Sequence, residues 1–125
     1  MLFRSDETRK ELDIELRQWG NPAAQNAQYI VVQPYYLPGN VARFTAPGGV
    51  LTHTVRWNAG MASFNTIRGA VVDAGSKNIA EHVFTAGIPN AGAEKVHLDL
   101  YQFKRTKGFS QRPAEVVIEK FEYLP

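Results

Sequence analysis

The chain has 125 residues, 44% of them hydrophobic, with 14 basic and 12 acidic side chains and a formal charge of +2. That length and composition fit one folded domain with a modest core and exclude a disordered chain. The mixed charge makes no case for a polyanionic partner, the lack of cysteine rules out disulfide and thiol chemistry, and no apolar run approaches the ~20 residues of a membrane-spanning helix.

The opening MLFRSDETRK has no apolar core of the kind a signal peptide carries, so none is expected there. The next stretch, Lys10 to Gly20, is the most informative. It sets Glu11, Asp13 and Glu15 at alternate positions, with Leu12, Ile14 and Leu16 between them. On a β-strand the acids line one face and the aliphatics the other. A structural strand has little use for three like charges in a row, which repel and disfavour ionisation. A glycosidase does have a use for them, because it needs one ionised and one protonated carboxyl in the same site. A helix competes for the same residues. Thr8 and Glu11 fit a capping box, Leu12, Leu16 and Trp19 recur at helical spacing, and Gly20 and Pro22 would end it. Ile14 joins Leu12 and Leu16 only at period two, which favours the strand.

After a turn-rich NPAAQN, Ala27–Tyr36 reads as a strand, with Pro34 at its end or on an edge. Leu37–Asn40 is a turn with Pro and Gly in type II positions, Val41–Thr45 a short strand, and Ala46–Gly49 another turn. Val50–Trp57 alternates, with Leu51, His53, Val55 and Trp57 on one face and Thr52, Thr54 and Arg56 on the other. With Met61–Ile67 across Asn58-Ala59-Gly60 it makes a hairpin. A weak strand at Ala70–Val72, a strand at Ile79–Phe84 and a loop over Ala86–Ala93 follow. Lys95–Phe103 alternates strictly, Lys104–Arg112 is a polar loop, and Pro113–Tyr123 reads as a closing strand. Six or more short strands with turns between them describe an all-β, antiparallel sandwich or barrel, taken here as one domain over residues 1–125. His53, His82 and His97 lie in separate segments and give a transition metal no support. Lys104, Arg105 and Lys107 form only a small solvated loop cluster, so a nucleic-acid role is not expected.

The ordered series ELDIE, AQYIVVQPYY, THTVRW, NAGMASFNTIRG, HLDLYQF and EVVIEKFEY resembles glycoside hydrolase family 16, the laminarinase, lichenase and agarase group, from about Glu11 to Tyr123. ELDIE is similar to that family's E-x-D-x-E catalytic strand. Tyr101 stands where the family usually has Trp, and the stretch Asn65 to Gly69 lacks its usual W-Y-x-D-G pattern. The resemblance implies a concanavalin-like jelly roll and retaining endo-hydrolysis of a β-glucan or related polysaccharide, without a cofactor. Glu11 would be the nucleophile, Glu15 the general acid/base and Asp13 the residue that steers the proton between them. Their flanking strand spacing puts the Glu11 and Glu15 Cα atoms ~13 Å apart, so the two side chains would have to lean inward to meet across a sugar. Trp19, Tyr35, Trp57 and Tyr101 would offer ring faces to sugars, or else pack in the core or at the rim. Gln28, His53 and Asp99 would bind hydroxyls, with an ordinary sheet histidine as the plainer reading of His53.

In the resembled family, usually secreted, the catalytic strand lies near the middle of a longer domain. Here roughly half the sandwich would be absent before Glu11. The expectation is a jelly roll truncated at its N-terminus and completed by a second copy in a homodimer. The same truncation removes cleft walls and keeps other readings open: a non-catalytic carbohydrate-binding or structural β-sandwich, or a small-molecule-binding or assembly module.

Overall fold

The computed structural model describes residues 2–4, 11–18, 20–31, 37–70, 77–92, 94–100 and 114–124. Eight strands follow one another among them: β1 (Leu2–Arg4), β2 (Glu11–Leu16), β3 (Ala27–Val31), β4 (Val41–Phe44), β5 (Leu51–Asn58), β6 (Met61–Arg68), β7 (Asn78–Phe84) and β8 (Lys95–His97). A five-stranded sheet has the order β4-β3-β2-β1-β8, and a three-stranded sheet the order β5-β6-β7. Every pairing is antiparallel. The two sheets pack face to face as an all-β sandwich.

Period two decides which residues make the core. In the register of β2 with β3 and of β3 with β4, Leu12 lies opposite Val31, Ile14 opposite Tyr29 and then Ala42, and Leu16 opposite Ala27 and then Phe44. Leu12, Ile14, Ala27, Tyr29, Val31 and Phe44 are buried and form one cluster with Ala62, Phe64 and Phe84 of the other sheet. An aromatic run crosses the interface. Phe44 meets Tyr29 at 4.6 Å between ring centroids, Tyr29 stacks on Phe64 at 5.0 Å, and Phe64 meets Phe84 edge-on at 5.7 Å. These are separations at which aromatic pairs attract beyond simple area burial.

A polar link accompanies the aromatic one. The Tyr29 hydroxyl is hydrogen-bonded to the Thr66 hydroxyl and donates to the Ala80 carbonyl at 3.3 Å. Thr66 is fully buried, so its hydroxyl would carry a desolvation cost without this partner. Elsewhere one side chain imitates a backbone strand: Asn26 donates Nδ2–H to the Ala46 carbonyl at 2.8 Å and accepts the Ala46 N–H at 2.7 Å. That pair clamps the chain leaving β4 to the approach to β3.

The expected elements compare closely in the middle of the chain. Residues 11–16 are a strand and not a turn of the competing helix, because only period two puts Ile14 beside Leu12 in the core. The β5–β6 hairpin pairs Asn58 with Met61 across Ala59-Gly60, and Gly60 supplies the φ of 71° that the tight turn needs. The expected strand over Ala27–Tyr36 is observed as Ala27–Val31, with 32–36 outside the described residues. Residues 71–76 and 101–113 also lie outside them, which covers most of the weak strand at Ala70–Val72 and the Lys104–Arg112 loop.

Three expectations are corrected. Leu37–Asn40 is not a type II turn. Pro38–Asn40 forms a single 3-10 turn that closes Asn40 N–H on the Leu37 carbonyl at 2.9 Å, without the positive φ at Gly39 that type II requires. The strand at Lys95–Phe103 is only Lys95–His97 among the described residues, where it pairs with Leu2–Arg4 of β1. The closing strand at Pro113–Tyr123 is not paired at all over 114–124, although its composition favours a strand. β1 itself, too short to leave a period, was not anticipated.

Phe64 is the ring on which both sheets meet. Phe64→Ala is expected to lower unfolding free energy by about 3–5 kcal/mol in urea titrations followed by tryptophan fluorescence. Tyr29→Phe keeps the stacking and loses only the hydroxyl, so it should cost about 1 kcal/mol.

Candidate active site on the acidic face of the five-stranded sheet

Because Leu12 and Ile14 turn to the core, Glu11, Asp13 and Glu15 come together on the opposite face of the five-stranded sheet. The register fills in their surroundings. Asp13 lies opposite Ile30, and Glu15 opposite Gln28, which is itself opposite Arg43. Arg4 of β1 is the register partner of Glu11, with Lys95 of β8 beyond it. Ile30 is buried yet is no part of the inter-sheet cluster, so this face is covered in its own right.

The three acids differ in environment. Glu15 is half-buried and held from two sides: Gln28 donates Nε2–H to its Oε2 at 2.6 Å, and the Arg17 guanidinium lies 3.1 Å from its Oε1. Asp13 is 2% exposed and Glu11 8%. Burial foremost, with a hydrogen bond to Glu11 and the charges of Glu11 and Glu15, pushes the Asp13 pKa up to about 9. Asp13 is therefore held toward its neutral form, hydrogen-bonded to Glu11. Asp13 Oδ1 and Gln28 Oε1 are buried without a hydrogen-bond partner. Unmatched acceptors of this kind are costly in a purely structural sheet.

The structure brings Gln28 to the acids and sets the other described candidates elsewhere. His53 and Trp57 lie on β5, on the core-facing side of the three-stranded sheet. The His53 Nδ1 is 2.8 Å from the Thr66 hydroxyl, which joins it to the Tyr29 network, and burial lowers its pKa. The Trp57 indole N–H donates to the Pro89 carbonyl at 2.8 Å and the ring packs against the core. Asp99 is exposed beyond the end of β8. Trp19, Tyr35 and Tyr101 lie outside the described residues.

Sequence reasoning missed Arg17 as the partner of Glu15. Two positions along an extended chain return to the same face, so the Glu15-x-Arg17 spacing held that signal. It also missed the Tyr29–Thr66–His53 network, which joins residues far apart in the chain and has no local signature. Among the described residues no cluster of three or more His, Asp or Glu side chains is arranged to hold a metal ion. A shallow hollow on the outer face of the three-stranded sheet, lined by Thr54, Arg56, Asn65 and Glu81, lies on the sheet that the acids do not belong to. Comparison of the chain with known protein families, with curated proteins and with solved structures gives no match.

The raised pKa of Asp13 has a consequence for stability. Between about pH 4 and 9 the folded chain keeps a proton that the unfolded chain releases, so this contribution falls as pH rises. His53 acts in the other direction and only below its ordinary pKa of 6.5, where the unfolded chain takes up a proton that the folded one resists. From pH 7 to 9 the Asp13 effect therefore stands clear of His53. Stability is expected to drop by up to about 2 kcal/mol over that range in urea titrations, and Asp13→Asn, which cannot ionise, should flatten the profile.

Proposed function

We propose that the acidic strand is the working part of a glycoside hydrolase-like site, in a jelly-roll sandwich resembling the family 16 enzymes, that cleaves a β-glucan or related polysaccharide with retention of configuration. The observation that carries this reading is the proton on Asp13, held between two glutamates and hydrogen-bonded to one of them. A retaining glycosidase has to keep one carboxyl protonated and a neighbour ionised at one pH, and burial reinforced by like-charge repulsion separates neighbouring carboxyls in that way without a cofactor.

The roles follow the order along β2. Glu11 attacks the anomeric carbon while Glu15, which has to take up a proton and part from Arg17 before the step, gives that proton to the leaving oxygen; a glycosyl ester forms on Glu11 as the glycosidic bond breaks. Glu15 then takes a proton from water, and the resulting hydroxide attacks the anomeric carbon and frees Glu11. Asp13 touches the Glu11 carboxylate and tunes its charge as the ester forms and breaks. Gln28 and Arg17 orient Glu15. Gln28 Oε1, buried with no partner, is suited to accept a sugar hydroxyl.

One specific observation favours a second reading. Glu11 is only 8% exposed, and a sugar ring has to reach its carboxylate. A non-catalytic carbohydrate-binding or structural sandwich that keeps the acidic strand without using it needs no such access.

Reducing-sugar release from mixed β-glucans separates the two. In the catalytic reading the wild-type chain releases sugar, and Glu11→Gln and Glu15→Gln each lower the rate by at least about a thousandfold while the circular dichroism spectrum is unchanged. Activity that survives both substitutions would exclude the assignment of these residues. A folded wild-type chain that releases no sugar, and is retained on the same glucans in affinity electrophoresis, would establish the binding reading.

A further inference from the structure

The described residue stretch 114–124 is left over by both sheets. It carries Val116, Val117, Ile118, Phe121, Tyr123 and Leu124, all among the exposed large hydrophobics, and Val117 is 69% exposed. Its Lys120 Nζ lies 2.8 Å from Glu122 Oε1, two positions on, the spacing that a strand puts on one face. Three consecutive β-branched residues put apolar groups on both faces at once, a pattern suited to a strand covered on two sides. Such a segment in water is a template for pairing.

The same chain carries an acceptor. β8 ends the five-stranded sheet, pairs with β1 on one side, and has no strand on its other side among the described residues. Val96 and Leu98 are exposed there, as are Lys95 and His97. Laid antiparallel against β8 with Val96 opposite Ile118, the segment also sets Leu98 opposite Val116, Lys95 opposite Glu119 and Glu94 opposite Lys120. Two apolar pairs and two oppositely charged pairs thus fall in one register, and directly opposite pairs of both kinds stabilise antiparallel ladders. The like-charge pair of Asp99 and Glu115 falls at the end of that register.

We propose that residues 114–124 are a donor strand that adds to the β8 edge of a second copy of this chain, so that two copies exchange C-terminal segments about a two-fold axis. Among the described residues neither segment 114–124 nor the outer side of β8 has a strand partner, and the two match in apolar and charge pattern, so a second copy satisfies both without any other protein. Each five-stranded sheet gains a sixth strand, and the exposed valines and isoleucine are covered. The inference concerns assembly alone and rests on no assumption about the chemistry of the acidic strand.

Light scattering tests the assembly directly. The wild-type chain at about 100 μM should have twice the 14.0 kDa mass of one chain. Ile118→Lys places a charge where the donor meets the partner and touches no core of its own chain. It should return the mass to that of one chain with an unchanged circular dichroism spectrum. The chain has no cysteine, so single-cysteine variants report pairing cleanly. A mixture of Val96→Cys and Ile118→Cys chains should form a disulfide-linked species of doubled mass on mild oxidation. A wild-type chain of single mass at this concentration, a doubled mass that survives Ile118→Lys, or a disulfide that forms only within a chain carrying both substitutions would each overturn the proposal.

Discussion

A strand that must bury one face has no freedom over what it shows on the other. Leu12 and Ile14 of β2 are drawn into a core that also takes Tyr29, Phe44 and Phe64, and a shift of one residue would put carboxylates among those rings. The cost of burying three acids against an aromatic cluster fixes the register. Everything proposed for Glu11, Asp13 and Glu15 depends on it, because the same alternation that keeps them out of the core gathers them on one face. Their neighbours on β3 follow from the ladder, so Gln28 reaches Glu15 without any special loop.

Two polar devices coexist in this sandwich and are handled differently. Between the sheets, the Tyr29, Thr66 and His53 groups satisfy one another and tie β3 to β5 and β6. On the acidic face, Asp13 keeps a proton and leaves one oxygen without a partner. A satisfied network adds rigidity, whereas an unsatisfied buried acid spends stability on something else. That contrast singles out the acidic face as the place to look for chemistry. The opposition of His53 and Asp13 in pH dependence is the thermodynamic expression of the same difference.

Edges raise a further demand. The three-stranded sheet has β5 and β7 at its margins, and the five-stranded sheet β4 and β8. Thr54, Arg56 and Glu81 give β5 and β7 polar outward faces, which discourages unplanned pairing. β8 has Lys95 and is short, but it is followed by exposed Leu98 and Leu100. The segment 116–124 carries six of the exposed large hydrophobics, a density that marks interaction sites more than ordinary surface.

Alternation alone determined the inward and outward faces of β5 and the β5–β6 hairpin, because each rests on contacts within a few residues or on period two. At 11–16 helix and strand both fitted the spacing; Ile14 favoured the strand, and the shared burial of Leu12 and Ile14 decided it, and with it the gathering of three carboxylates. Tertiary structure alone decided the rest. Val116 to Ile118 have every local preference for a strand, yet pairing needs a free edge at the right place, and local preference cannot supply one. Trp57 and His53 fit sugar contacts, although packing was the plainer reading of each. Only the partners Pro89 and Thr66, distant in the chain, decided which way they point. The proton on Asp13 likewise required burial, which no spacing of acids along a strand can establish, because the energy of a charge depends on what surrounds it in space.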